Sequence, residues 1–223
     1  MGDRALADYT LAASVDPSDQ TAYLAIANTD FSLGESANTL KALQRAGQGI
    51  AVCELKVESN LQLGHFTAAA DATGPLVSPD SSDSNLHLAG LALAAANQTA
   101  AAQVLVPRIT AIEAATSVQR ATTDKMALAQ ELYVTGLLNA SEAVLQPQPA
   151  GFERNVLLAR ILYRSNQKSD LALAANLLET AVYLNPSDIS AHRLLAEIYK
   201  SEGQTSKAST QDSLISRLSF GQP

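Results

Sequence analysis

The sequence predicts an all-α protein built from repeated pairs of helices, and two observations carry this prediction. Alanine (40 residues) and leucine (32 residues) make up about a third of the 223 residues, whereas aromatic residues make up only 4%. Small and unbranched apolar side chains favour closely packed helices, while β-sandwiches and barrels favour β-branched and aromatic residues. Prolines and turn-forming residues also recur at an interval of about 34 residues, which is typical of a helical repeat.

The interval is clearest in two tetrapeptides, DPSD at residues 16–19 and NPSD at residues 185–188. Their prolines lie five intervals of about 34 residues apart. Other turn-forming residues fall half an interval out of phase, between segments in which Ala and Leu have helical spacing: Gly34, Gly64, Asn97, Gly136, Lys168 and Gly203. Glycine supplies the left-handed backbone that ends a helix, and Asp19 and Asp188 are placed to cap the helices that follow them.

These signals predict thirteen helices, and no strand pattern competes with them. The helices are expected over residues 3–15, 19–32, 35–46, 49–62, 66–76, 83–96, 99–116, 122–135, 138–146, 150–165, 169–184, 188–201 and 204–219. Gly74-Pro75 is expected to end or kink the helix that begins at residue 66.

A helix–turn–helix unit of about 34 residues resembles the tetratricopeptide repeat, whose pattern is W-x2-L-G-x2-Y, then A-x3-F, then P. The C-terminal unit matches best, because His192, Leu195, Ala196 and Tyr199 have the spacing of the first motif and Gly203 lies in the turn. The match is strong at both ends of the chain and degenerate in the middle. The resemblance implies a right-handed α-solenoid. In such a repeat, small residues let the two helices of a pair approach closely: Ala27, Gly90, Ala159 and Ala196.

The chain is therefore expected to form a single solenoid over residues 1–223. A half repeat is followed by six repeats: 1–17, then 18–48, 49–80, 81–117, 118–149, 150–187 and 188–220. Because the chain begins on the second helix of a repeat, one face of the helix over 3–15 lacks a repeat neighbour. We therefore expect the sequence to be a piece of a longer protein. The alternative is that this helix caps the array itself.

Charge and motifs exclude several classes of function. A net charge of −7 provides no basic field for nucleic acid. The single cysteine, Cys53, excludes an internal disulfide and a cysteine-rich zinc site, and the histidines His65, His87 and His192 lack metal-ligand spacing. No phosphate-binding loop, dinucleotide fingerprint or nucleophile elbow occurs, so no catalytic residue, cofactor or metal is predicted. With no signal peptide and no bilayer-spanning apolar run, the chain is expected to be soluble, and its location stays open.

Charge is distributed unevenly along the chain, because residues 1–100 carry the whole net charge of −7 and residues 101–223 are neutral. The resemblance implies that ligands contact the first helix of each pair, in a concave groove. Five residues of the last two first helices are therefore candidates for binding a partner: Arg160, Arg164, Arg193, Glu197 and Lys200. Arginine suits bidentate binding of carboxylates, which favours an acidic peptide or a C-terminal carboxylate as the ligand. The alternative is a solvated face with local ion pairs.

The carboxylate clamp known from the family needs Lys and Asn at set positions in successive first helices. Asn28 occupies one such position, but the residues that should accompany it are Leu24, Leu55, Ser84 and Leu88. The resemblance therefore does not extend to the binding of chaperone tails.

Taken together, the sequence predicts a non-catalytic scaffold that binds a protein, a peptide or a helix through its concave face. Two alternatives stay open, since one fold serves many functions. The chain is then either the regulatory or assembly domain of a longer, envelope-associated bacterial enzyme, or a structural subunit that self-associates through its N-terminal helix.

Overall fold

The computed structural model describes residues 2–165 and 168–220, and over these residues it contains helices and no β-strand, which confirms the all-α prediction. The α-helices are α1 (Gly2–Val15), α2 (Gln20–Ser32), α3 (Ser36–Leu43), α4 (Ile50–Gln62), α5 (Phe66–Asp71), α6 (Asp83–Ala95), α7 (Thr99–Leu105), α8 (Ile112–Ala121), α9 (Lys125–Val134), α10 (Leu138–Leu145), α11 (Phe152–Ser165), α12 (Lys168–Leu184), α13 (Ile189–Ser201) and α14 (Thr205–Phe220). The chain forms two compact units, an N-terminal unit of residues 1–143 and a C-terminal unit of residues 144–223.

The helix caps that the sequence predicts are confirmed. The Asp19 carboxylate accepts hydrogen bonds from the backbone N–H groups of Thr21 and Ala22, at 2.9 and 3.2 Å. Asp188 accepts one from the N–H of Ala191 at 2.7 Å. These three bonds satisfy donors in the first turn of a helix, which have no partner within the helix itself.

Most of the predicted turn residues adopt the left-handed backbone. Positive φ angles of 60–85° occur at five of the six: Gly34, Gly64, Asn97, Gly136 and Gly203. The sixth, Lys168, is instead the first residue of α12, and residues 166–167, where the predicted turn continues, lie outside the described residues. The alternation of helix and tight turn is therefore present as the repeat predicts.

Two prolines interrupt helices. Pro75 lies in a short 3-10 helix, Gly74–Val77, so the helix that begins at residue 66 ends early, as expected. The prediction of one helix over 99–116 is wrong, because Pro107 lies in a second 3-10 helix and Ile109 has extended backbone (ψ 118°). Proline has no N–H to donate and its ring clashes with the preceding turn, so the chain leaves the helix and restarts it as α8.

The N-terminal unit consists of helix hairpins whose first helices contact one another in series. Short turns join α2 to α3, α4 to α5 and α6 to α7, and α2 contacts α4, which in turn contacts α6. The α6 helix also packs against α8 and α9. Leucines on these helices are fully buried, among them Leu61, Leu91 and Leu128. Burial of this apolar surface is what holds the hairpins together.

The small residues that the resemblance predicts for close packing are all buried: Ala27, Gly90, Ala159 and Ala196. Gly90 corrects one detail, however. A Cβ at this position would meet Val118 of α8, with Cγ1 at 2.7 Å and Cγ2 at 2.8 Å. Gly90 therefore allows the close approach of α8, the helix that the sequence did not predict, rather than that of α7, its expected pair partner.

The α1 helix packs against α2 and leaves part of its surface in solvent. Tyr9, Leu11 and Val15 are exposed apolar side chains of this helix. A shallow depression runs along it, formed by Leu6, Ala7, Thr10, Leu11 and Ser14. This is the helix for which the sequence predicts a face without a repeat neighbour.

The C-terminal unit contains the hairpins α11–α12 and α13–α14, with a common core of alanine and leucine. His192, which stands where the repeat motif has Trp, is buried as predicted. Its Nε2 lies 3.0 Å from the carbonyl oxygen of Pro186, and its Nδ1 lies 2.7 Å from Oε1 of Gln211. These bonds connect the turn before α13 to α14, so the histidine is a packing residue.

Candidate functional site

A cavity of about 380 Å³ opens in the N-terminal unit across α2, α4 and α6. We call it the α4 groove. Four of the five positions compared above with the carboxylate clamp lie in its wall, namely Asn28, Leu55, Ser84 and Leu88, whereas Leu24 does not. The first helices of three successive hairpins therefore line one cavity, as the resemblance implies.

The far wall of the α4 groove is held by one side chain of α4. The Gln62 amide donates from Nε2 to the carbonyl oxygen of Gly136 (3.3 Å), and its Oε1 accepts from the N–H of Asn139 (3.1 Å). This bridge fixes the turn after α9 against α4 and places Thr135 and Leu137 on the groove wall. Gly136 and Asn139 lie 74 and 77 positions from Gln62 in the sequence, so only the tertiary fold brings them together.

Two anchors fix α6, which carries the other side of the groove. At its start, the Asp83 carboxylate accepts bonds from the N–H and hydroxyl of Thr110 and from the N–H of Ala111, and these bonds lower the pKa of Asp83. At its end, the Lys125 ammonium donates to the carbonyl oxygen of Ala94 (3.1 Å) and to the side chain of Asn97 (2.7 Å). Both ends of α6 are thereby tied to the segment from α8 to α9.

The charge in the α4 groove comes from two glutamates of α4. Glu54 and Glu58 are four residues apart, so they lie one above the other on the same helix face, and both are half-buried in the groove wall. Burial raises the pKa of Glu58, and the charge of Glu54 raises it further. The groove is thus an acidic cavity with an apolar floor of Leu55 and Leu91.

A second cavity, of about 550 Å³, adjoins α8 and shares His87 with the α4 groove. His87 Nε2 lies 2.9 Å from Oγ of Ser117, which is buried on α8. Burial lowers the pKa of His87 although the charge of Glu131 opposes this, so the ring is neutral at pH 7. Among the described side chains, no carboxylate is hydrogen-bonded to the other ring nitrogen of His87, and Glu131 instead pairs with Arg120 at 3.6 Å. The arrangement is that of a helix contact rather than of an activated serine.

The residues that the sequence singled out for partner binding lie on α11 and α13 of the C-terminal unit, and these two helices are in contact. Arg164, Arg193 and Glu197 are exposed, and Arg160 is half-buried. Lys200 is also exposed, and its Nζ pairs with Oδ2 of Asp212 on α14 at 3.0 Å.

Arg160 lies near the N-terminal end of α13. Burial alone would raise the pKa of Asp188, but bonds from the Ser190 hydroxyl and from the N–H groups of Ala191 and Ser190, together with the positive charge of Arg160, lower it. Arg160 thus already interacts with a carboxylate that caps α13. Its use in binding a partner stays a prediction.

Sequence reasoning missed the acidic character of the α4 groove. The sequence identified Leu55 and Leu88 as groove positions, and Glu54 and Glu58 lie on the same helix as Leu55. The sequence could therefore have indicated that these glutamates lie near the groove. The uneven charge also pointed to this half of the chain, since residues 1–143 hold 15 acidic and 7 basic residues. What was missing was the burial of these carboxylates in a common cavity.

Over residues 2–165 and 168–220, no three His, Cys, Asp or Glu side chains lie close enough to hold a metal ion. In the same part of the chain, no helix has the length and hydropathy needed to cross a membrane. Cys53 is half-buried on α4.

These features define an all-α protein of helix hairpins with an acidic groove across three of them. No family model matches the chain, and no curated protein matches it either. Solved structures do match, among them MamA MSR-1 C2, at 17% sequence identity and a TM-score of 0.37, over 75% of this chain and 95% of that one. At this TM-score a superposition does not establish a shared topology. The evidence for the repeat architecture is the chain's own alternation of helices and tight turns.

Proposed function

We propose that the chain is a non-catalytic protein-interaction scaffold and that its α4 groove holds a segment of a partner protein. The construction of the groove carries this proposal, because first helices of three successive hairpins, α2, α4 and α6, line one cavity. Its volume is within the range of ligand-binding pockets, and polar and charged side chains line it together with an apolar floor. The resemblance to tetratricopeptide repeats implies the same use of this face.

Filling the groove with a bulky side chain tests this proposal. Ala51 is an exposed residue at the second position of α4 and lines the groove. Ala51→Trp is expected to lower affinity for partners of the chain at least about tenfold, since a tryptophan there occupies space that the ligand needs. The measurement is the affinity of a purified partner, found by pull-down and then titrated against both proteins.

Ala37 provides a matched control. It is also exposed and also the second residue of its helix, α3, but it does not line the groove. Ala37→Trp should leave the affinity within a factor of about two. Equal losses in both variants, or no loss in Ala51→Trp, would contradict binding in the groove.

The cationic surface of the C-terminal unit is proposed as a second contact for an acidic partner segment. A peptide rich in glutamate, with a free C-terminal carboxylate, is expected to bind the wild-type chain about tenfold more tightly than the variant Arg160→Ala/Arg193→Ala, since the variant loses two cations that pair with carboxylates. Fluorescence anisotropy measures the affinities, and Arg217→Ala on α14 serves as the control. Unchanged affinity in the double variant would refute this contact.

One observation favours self-association as a second candidate function. The exposed apolar side chains of α1 and the depression along it form a surface that a second copy could cover. Light scattering at high concentration distinguishes the two candidates, because a strict monomer excludes self-association and leaves the scaffold proposal intact. The role as a regulatory part of a longer enzyme stays a prediction from the sequence.

A further inference from the structure

The α4 groove holds a pair of like charges, Glu54 and Glu58, that form no ion pair with the described residues of the chain. Glu54 and Glu58 lie one helical turn apart, and like charges at this spacing destabilise a helix. Among the described residues, ion pairs are formed by Glu131, Glu179 and Asp212, but not by either groove glutamate. The neighbouring His87 is neutral at pH 7 because it is buried. The repulsion within the groove is therefore not offset by the described part of the chain.

A second feature of the groove, independent of the carboxylates, is an unused amide. Asn85 of α6 is 7% exposed and lines the same cavity. Its backbone N–H donates to Oγ of Ser82, but its side-chain amide has no hydrogen-bond partner among the described residues. A polar side chain that is more than nine-tenths buried normally finds a partner within the protein. The Asn85 amide borders the cavity instead, where a ligand group can reach it.

The shape of the groove suits a long side chain with a charged end. Leu55 and Leu91 are buried in the wall of the cavity that the carboxylates line, and Leu88 lines it too. Lysine and arginine bury their methylene stems against such surface while the charged group reaches a polar partner. A metal ion is a poor occupant, since no group of three ligating side chains occurs over residues 2–165 and 168–220.

We propose that the α4 groove binds a basic side chain, preferably arginine, carried by the partner's polypeptide. Glu54 and Glu58 pair with the guanidinium group, and the Asn85 side-chain oxygen accepts a further hydrogen bond from it. A planar guanidinium has five donors and matches two carboxylates better than an ammonium does. The excess of acidic residues in the N-terminal unit also attracts a basic segment. This inference rests on the proposed function and names the chemistry of the partner.

The test uses two short peptides that differ only in charge. Acetyl-Ala-Arg-Ala-amide is titrated into the full-length ¹⁵N-labelled chain, and acetyl-Ala-citrulline-Ala-amide, which has nearly the same shape and no charge, is titrated in parallel. The side-chain NH2 signals of Asn85 report on the groove directly. We expect the arginine peptide to shift these signals to saturation and the citrulline peptide to bind at least about tenfold more weakly.

Two variants of equal charge show whether the groove glutamates are responsible. Glu54→Gln/Glu58→Gln is expected to weaken binding of the arginine peptide at least about tenfold, whereas Asp71→Asn/Asp80→Asn, which removes two exposed carboxylates outside the groove, should change it less than about twofold at 0.15 M salt. The glutamine variant should stay folded, because it removes a repulsion without changing side-chain shape. Circular dichroism verifies this.

Three outcomes overturn the inference: no shift of Asn85 with the arginine peptide, equal binding of the citrulline peptide, or equal losses in the two charge variants. None of them decides the proposed function, which Ala51→Trp tests separately. If Ala51→Trp removes partner binding and Glu54→Gln/Glu58→Gln does not, the groove binds a partner but not through a cation. If neither variant affects partner binding, both proposals fail.

Discussion

Replacing Gly90 by leucine is expected to lower the free energy of unfolding by about 3 kcal/mol, at the upper end of the usual cost of overpacking a core. Even the Cβ of a new side chain would lie 2.7 and 2.8 Å from the two methyl groups of Val118. Val118 is fully buried on α8, and its β-branched side chain has few other rotamers. The clash can be relieved only if α6 and α8 move apart.

Gly90→Ala separates the clash from the helix propensity of glycine. Alanine favours a helix over glycine by about 1 kcal/mol, while the contact with Val118 costs about 1–3 kcal/mol, so we expect a net loss of about 1 kcal/mol. In a Val118→Ala background the two methyl groups are gone and only the Cβ of residue 118 remains, at 3.4 Å, so Gly90→Ala should then stabilise the protein. Urea unfolding followed by circular dichroism measures all four proteins of this double-mutant cycle.

Gly151→Ala is the control for the procedure, because no atom lies within 4 Å of a Cβ at that position. Its effect on the free energy of unfolding should be the same in the wild-type and Val118→Ala backgrounds, to within about 0.5 kcal/mol. If Gly90→Ala changes the free energy of unfolding by the same amount in the wild-type and Val118→Ala backgrounds, the close approach of α6 and α8 is contradicted.

Local sequence signals predicted the fold where a single residue type determines the backbone. Asp19 and Asp188 cap helices as expected, and glycines such as Gly136 and Gly203 end them with positive φ. Only small or short polar residues tolerate this backbone, and Ser, Asp and Asn favour the cap position, so such positions can be recognised in one sequence. The α8 helix was missed because its segment continues a pattern of alanine spacing, which concealed the break at Pro107.

The site was harder to predict, because the direction of a side chain on a helix decides which neighbour it meets. Lys200 pairs with Asp212 of the following helix, a contact that the spacing of residues in the sequence does not indicate. Glu54 and Glu58 read in sequence as ordinary surface acids, and their burial follows from the packing of α6 against α4 and from the Gln62 bridge. Contacts between segments that are distant in sequence do not change the periodicity of apolar residues within each helix, so this periodicity does not predict them.

Cations of the C-terminal unit are already paired with carboxylates, whereas the two glutamates of the α4 groove form no ion pair with the described residues. This difference supports a ligand in the acidic groove. In the C-terminal unit, Lys200 pairs with Asp212, and Lys207 pairs with Glu179, which also accepts the Tyr199 hydroxyl. A ligand that binds these side chains has to compete with their present partners. Glu54 and Glu58 have no such competitor among the described residues, so a cationic ligand gains the whole interaction.

Two buried serines of the N-terminal unit are expected to respond to alanine with opposite signs. Ser59 on α4 and Ser141 on α10 are both 0% exposed. Ser141 donates its hydroxyl to the carbonyl oxygen of Ala129 at 2.7 Å and so ties α10 to α9. The hydroxyl oxygen of Ser59 is buried with no hydrogen-bond partner in the described part of the chain. Burying a hydroxyl without a partner costs free energy, whereas a made bond stabilises the fold.

Ser59→Ala is therefore expected to raise the free energy of unfolding by about 1 kcal/mol, since it removes an unpaired polar group and improves helix propensity. Ser141→Ala should lower it by about 1 kcal/mol, because the fold loses the buried hydrogen bond that ties α10 to α9. The same chemical change thus separates the two variants by about 2 kcal/mol in urea unfolding. Effects of equal sign would show that the hydroxyl of Ser59 is paired in solution, for instance with a carbonyl of the preceding turn of α4.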